Sequence, residues 1–181
     1  MTYNIHPLAV HFPIALLFLY SIIKIIPFQK WFPNVSWKHI ERALLLLGVL
    51  GAFVASSTGE VAEHLAHPNK QLVEMHSFFA ALSTWLYGLI LIGEIIYFIN
   101  PFIASKFSIA PLIKLLSFIQ KILQTLILSK ILAFLGLIAI SVTGLLGGVM
   151  VYGLSADPIA GVVLQILGIE IISICYDTVL G

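Results

Sequence analysis

Charge is what this sequence has least of. Only 9% of its 181 residues are Asp, Glu, Lys or Arg, where a soluble domain carries roughly 25%. That is too little polar surface to coat a water-exposed globule, so lipid must solvate most of the outside. Cations and acids nearly cancel at a net charge of +1, which argues against nucleic acid and the basic patches it requires. Cysteine is almost missing: Cys175 stands alone. One thiol excludes an intrachain disulfide, and it excludes covalent c-type haem attachment through C-x-x-C-H. No Lys or Arg precedes the first apolar run, and the first cation is Lys24. A cleaved signal peptide carries its positive charge ahead of the apolar stretch, so this order predicts an uncleaved first span with its N-terminus outside. A nucleophile–base set, a phosphate loop and a dinucleotide fingerprint are also missing, and the sequence leans away from an enzyme acting alone.

What is present is apolar. Hydrophobic residues make up 60% of the chain, with a mean hydropathy of +1.09. Crossing a bilayer takes about 20 such residues, and four segments qualify, at about 7–26, 37–67, 70–100 and 130–153. The predicted fold is an all-α integral membrane protein, a bundle of four transmembrane helices. Pro7 suits a first helical position. Pro13 lies inside the first span and is expected to kink it, since its ring clashes with the carbonyl of Ala9. Asn69 is placed to cap the third span. Residues 102–128 carry Lys114, Ser117, Lys121 and Gln124 at helical spacing, which predicts an amphipathic helix lying in the interface. Residues 158–180 are apolar around Gln165, Glu170 and Asp177. They are read as a C-terminal apolar helix and a possible fifth span.

Eight of the nine cations flank the first and third loops, and Lys70 alone flanks the second. The positive-inside rule makes the lysine-rich loops cytoplasmic. In an inner membrane this puts the N-terminus on the periplasmic side. Two small-residue faces, Gly48, Gly51, Ala55 and Gly59 in the second span and Ser141, Gly144 and Gly148 in the fourth, read as ordinary seams where helices approach closely.

The histidines carry the functional clue. His6, His11, His64, His67 and His76 fall near the external ends of spans one, two and three, and only His39 lies at the other face. Glu60, Glu63, His64 and His67 form one stripe of the second span. In the third, His76, Ala80, Ser83, Tyr87 and Glu94 share a face. A carboxylate inside a bilayer by default faces the bundle interior with a partner, so Glu94 marks that face as inward. Three chemistries suit such a set. Two imidazoles from different helices could ligate one haem b iron axially, with His11 and His76 as the expected pair, His64 as substitute, and Ser83 and Tyr152 beside them. Alternatively His64, His67, Glu60 and Glu63 could bind Cu or Zn for storage or transport. Titrating imidazoles could also serve proton chemistry or a quinol head group. The plain alternative is interfacial histidine bonded to water, backbone or lipid. No spacing is a signature: H-E-x-x-H and the E-x-x-H of di-iron bundles are both missing. A relay through two haems would need a second pair near His39, which stands alone. The partners these readings imply are the bilayer, a quinol or external electron carrier, and other membrane subunits or further copies of the chain; as an accessory subunit the protein would be structural.

The opening Ile5-His6-Pro7-Leu8-Ala9-Val10-His11-Phe12-Pro13-Ile14-Ala15-Leu16 resembles the H-P-x-x-V-H-F-P-I-A-L start of a bacterial membrane family, domain of unknown function 2231. Gly147-Gly148-Val149-Met150-Val151-Tyr152 is similar to the G-G-x-L-V-Y ending of its fourth span. The resemblance covers most of residues 5–153 and implies a four-span bundle in a bacterial inner membrane. It carries over His6, Pro7, His11 and Pro13 as signature positions and implies no activity. After Tyr152 the chain departs from the family, reading Gly153-Leu154-Ser155-Ala156-Asp157.

Overall fold

The computed structural model describes residues 5–66, 69–106 and 109–169. Four long helices dominate: α1 (His6–Ile25), α3 (Trp37–Ala66), α4 (Lys70–Lys106) and α6 (Leu126–Tyr152). Each is long and apolar enough to cross a membrane, and among the described residues there is no strand. Two short helices join them, α2 (Phe28–Trp31) and α5 (Ala110–Leu123), and a third, α7 (Ala160–Ile166), follows α6 through a 3-10 turn at Gly153–Ala156.

The long helices alternate in direction and form a ring, α1 against α3, α3 against α4, α4 against α6, and α6 back against α1. One end of the bundle carries His6, Thr58, His76 and Thr143. The other carries Lys24, Arg42, Glu94 and Lys130. These are called here the histidine end and the lysine end. The outside is greasy throughout, with Phe12, Leu50, Phe53, Trp85, Phe134 and Ile138 all exposed. A surface of this kind fits a bilayer and not water.

The core follows from where the helices meet. Leu17, Tyr20, Leu45, Val49, Tyr87, Ala133 and Ile140 are buried together in the middle of the ring. Tyr87 reaches across the bundle to α1, where its hydroxyl bonds Ser21 Oγ at 2.7 Å and its ring meets Tyr20 edge to face. Ser21 Oγ in turn donates to the Ala133 carbonyl at 3.1 Å. That fixes the second hydroxyl proton: Ser21 spends its own on Ala133, so Tyr87 donates to Ser21. Other hydroxyls close back on their own helices, as Thr84 does on the Ala80 carbonyl and Thr143 on Ala139. In hydrocarbon an unmet donor costs several kcal/mol, roughly, which favours this closure onto a carbonyl.

Small residues set the helix spacing. A Cβ on Gly48 would lie 2.6 Å from Leu17, and one on Gly136 would lie 2.8 Å from Tyr87 Cζ. Pro13 is buried and packs on Gly51, and α1 continues through it without a break. Asn69 caps α4, its side-chain oxygen accepting from the backbone of Gln71 and Leu72.

The helix ends differ from expectation in three places, the smallest being α6, which starts at Leu126 and not near 130. The third apolar segment was expected to stop near Asn100, but α4 runs through Pro101 to Lys106. A proline this late removes one backbone bond from the last turns only, which the packing of α5 on that end of α4 tolerates. Asn100 Nδ2 donates to Ser117 Oγ at 2.8 Å, and Gln124 Nε2 to the Gly93 carbonyl at 3.3 Å. The C-terminal apolar stretch also departs from one helix over 158–180. α7 has seven residues and ends at Gly168, whose φ of 70° is left-handed. Gly168 N–H bonds the Gln165 carbonyl and Ile169 N–H the Leu164 carbonyl, the double closure that stops a helix at glycine. Leu164 and Ile169 bury against Leu72, Leu146 and Val149, and Gln71 Nε2 holds the Gly168 carbonyl. α7 thus caps the histidine end. Residues 170–181, and with them Glu170 and Asp177, lie outside the described residues.

Gly136→Ala is expected to lower stability in detergent by about 1–3 kcal/mol, because the Tyr87 ring is held on both sides and cannot yield. Gly88→Ala, where a Cβ meets nothing within 4 Å, should be neutral or gain up to about 1 kcal/mol from helix propensity. Thermal unfolding of the two variants side by side checks this, and equal behaviour would contradict the packing described.

Candidate site at the histidine end

The histidine end is built from four helices. His6 opens α1, Thr58 and Gly59 sit late in α3, His76 lies in the second turn of α4, and Thr143 and Gly147 belong to α6. The face that α1 turns inward explains His6. Pro13 and Tyr20 follow it at seven-residue steps, two turns each, and both are buried. His6 therefore continues the buried stripe to the end of the helix. His11 is five residues on and falls on another face, with exposed Phe12 and Phe18 beside it.

His6 Nδ1 lies 2.9 Å from Thr58 Oγ1. Thr58 spends its own proton on the Ala55 carbonyl at 2.8 Å, so its oxygen accepts and His6 donates through Nδ1–H. His76 Nδ1 lies 3.0 Å from the Thr143 carbonyl. A carbonyl can only accept, so His76 also carries its proton on Nδ1. In both neutral rings Nε2 is then the unprotonated nitrogen. The rings face each other edge to face, with centroids 6.4 Å apart and planes at 77°. Glycines flank both: a Cβ on Gly59 would come within 3.5 Å of the His6 ring, and one on Gly147 within 3.3 Å of His76 Cε1. Any larger residue at Gly147 would push on the imidazole.

The other expected site residues lie elsewhere. His11 is exposed and bonds the Pro7 carbonyl of its own helix, so the imidazole that meets His76 is that of His6. Glu60, Glu63 and His64 are exposed on α3, and His67 lies outside the described residues. Among the described residues no three His, Cys, Asp or Glu side chains come together in a group able to hold a metal. Ser83 is buried and bonds the Ala80 carbonyl of its own helix. Tyr152 is 71% exposed and faces away from the bundle. Glu94 does turn inward to a partner, Arg42, at 2.8 Å, but at the lysine end.

His6 was named in the histidine set but not as a ligand, and Thr58 and the Thr143 carbonyl were not among the residues expected to form a site. The seven-residue step from His6 through Pro13 to Tyr20 was the available signal for the first. Thr58 and Thr143 look like any small polar residue of an apolar span, and no sequence signal marks them.

The profile of a family described as "Predicted membrane protein (DUF2231)" matches residues 2–157. The chain belongs to this family. The DUF2231 match includes all four long helices and both histidines of the pair, and it ends before α7. Comparison with curated proteins and with solved structures finds no match. The DUF2231 description states a membrane protein, which agrees with four helices able to span a bilayer.

The tautomers give a direct test. Histidine in water favours the proton on Nε2, whereas here Nδ1–H is required twice. In 15N-labelled protein the His6 and His76 rings are expected to show Nδ1 protonated and Nε2 bare. Assignment of both as Nε2–H would contradict the hydrogen bonds to Thr58 and Thr143.

Proposed function

We propose that the protein is a non-catalytic electron-transfer protein, or a subunit of one, that holds a single b-type haem at the histidine end through His6 and His76. The observation that carries this reading is the pair itself: two imidazoles from different helices, each with Nδ1 held at a hydrogen-bond partner on a neighbouring helix. Metal-ligating histidines donate their second nitrogen in this way, which fixes the tautomer and aims the ring. Gly59 and Gly147 let the backbones of α3 and α6 come close to the two rings.

The choice among metals turns on ligand number. Zn in protein sites takes three or four protein ligands, and the described residues bring only two together. A haem b would ask the protein for only one or two iron ligands, a number that His6 and His76 would meet. When bound, the haem supplies one-electron chemistry. The chain's own residues hold the rings, and α7 packed on Leu72, Leu146 and Val149 covers that end of the bundle. With eight of nine cations at the lysine end or in the α4–α6 connection, the positive-inside rule makes the histidine end external in a bacterial inner membrane. A quinol or an external electron carrier would meet it there.

Protein purified from haem-replete cells is expected to show a reduced α band and to release non-covalent haem on extraction. His6→Ala and His76→Ala should each lose most of it, while His11→Ala keeps it, with size-exclusion profiles showing all three folded. A colourless wild-type preparation without extractable haem would overturn the reading.

A further inference from the structure

The lysine end holds a cavity of about 560 Å³, walled by the last turn of α1, the short α2, and the ends of α3, α4 and α6. Five cations line it: Lys24, Lys30, Lys38, Arg42 and Lys130. Two carboxylates, Glu41 and Glu94, line it as well, a surplus of three positive charges. The carboxylates are spoken for, Glu41 by Lys24 at 3.1 Å and Glu94 by Arg42 at 2.8 Å. Lys130 reaches only a neutral carbonyl, that of Ile25 at 3.1 Å. Lys38 lies over the Tyr97 ring, 5.2 Å from its centroid. Lys30 is exposed and has no partner among the described residues. Arg42 Nη2 is buried with no hydrogen-bond partner, although Glu94 takes its Nε. Three lysines without an anion and an unsatisfied guanidinium nitrogen are an incomplete electrostatic site.

From this arrangement we infer that the cavity binds the phosphate headgroup of an anionic phospholipid. Phosphate chemistry fits the cations, since several lysines and an arginine around one concave site suit an anionic group whose charge is shared over more than one oxygen. The lipid source is favoured by the remaining wall. Ile23 and Leu45 are buried core residues that line the cavity floor. Leu126 lines the cavity and is also 65% exposed on the outside of the bundle, so the apolar wall continues onto the surface that lipid covers. Phe28 and Trp37 stack at 5.3 Å in the same wall, and Trp37 Nε1 is tied to the Phe32 carbonyl. A rigid indole at headgroup depth is what the interface favours. Basic pockets between spans at the positive side take anionic headgroups for these reasons.

Native mass spectrometry of the full-length protein in detergent tests this, with phosphatidylglycerol and phosphatidylcholine as the lipids. The expected result is selective retention of phosphatidylglycerol. The double variant Lys30→Gln/Lys38→Gln leaves both carboxylate pairs intact, and both lysines are exposed, so the fold should stand. It should weaken retention by about fivefold per lysine, roughly 25-fold in all. Lys114→Gln/Lys121→Gln, on α5 and away from the cavity, should change nothing. Equal retention of the two lipids would overturn the proposal, as would an equal loss in the α5 variant. Complete displacement of the lipid by millimolar sn-glycerol 3-phosphate would identify a soluble phosphate compound as the occupant and overturn it too.

Discussion

The bundle depends on one hydrogen-bonded bridge in its middle. Tyr87 of α4 donates to Ser21 of α1, and Ser21 donates to the Ala133 carbonyl of α6. Three helices meet in two bonds, at side chains with no measurable exposure. Lipid is as apolar as leucine, so burial of leucine gives little reason for one helix pairing over another. A polar group with only one possible partner does give a reason. Shift α4 along its axis by a turn and the tyrosine hydroxyl loses its partner inside hydrocarbon. Gly136 makes the bridge possible by lacking the side chain that would occupy the place of the Tyr87 ring.

The register set at the centre is felt at both ends. Toward the histidine end it brings His76 to the Thr143 carbonyl and, across the ring, His6 to Thr58. Toward the lysine end it places Arg42 against Glu94, between α3 and α4, and Lys24 against Glu41, between α1 and α3. Arg42 also lies over the Tyr97 and Phe98 rings, which shields its charge from lipid. The two ends differ in kind. One collects neutral imidazoles with fixed tautomers and small residues around them. The other collects fixed charges with a positive surplus beside an open cavity. A chain with few polar residues places several of its inward-facing ones at these three levels.

Much of this was legible in the sequence, and the misses have physical causes. Long apolar runs need no tertiary information, so four helices and the gathering of histidines at one end followed from hydropathy and cation placement alone. Glu94 told correctly which face of α4 turns inward, because a charge in a bilayer has few options. For α1 no such marker exists. His11 sits deeper than His6 and looked the better ligand, yet depth along a helix does not reveal its rotation. Rotation is set by the Pro13–Tyr20 stripe, which carries His6 inward and leaves His11 out. The end of α7 was hidden because Gly168 lies in an apolar run, and only its left-handed φ shows that the helix stops there. Thr58 and Thr143 act through an oxygen and a backbone carbonyl, which residue type alone does not advertise.

The central bridge can be weighed directly. A double-mutant cycle on Ser21→Ala and Tyr87→Phe, read as unfolding free energy in detergent, isolates the coupling between the two hydroxyls. Side-chain hydrogen bonds between membrane helices are worth about 0.6 kcal/mol on average and up to roughly 1.7. A bond that sets the register should lie in the upper half of that range. Purely additive effects, with no coupling beyond error, would mean that packing alone fixes the helices and that the bridge is incidental.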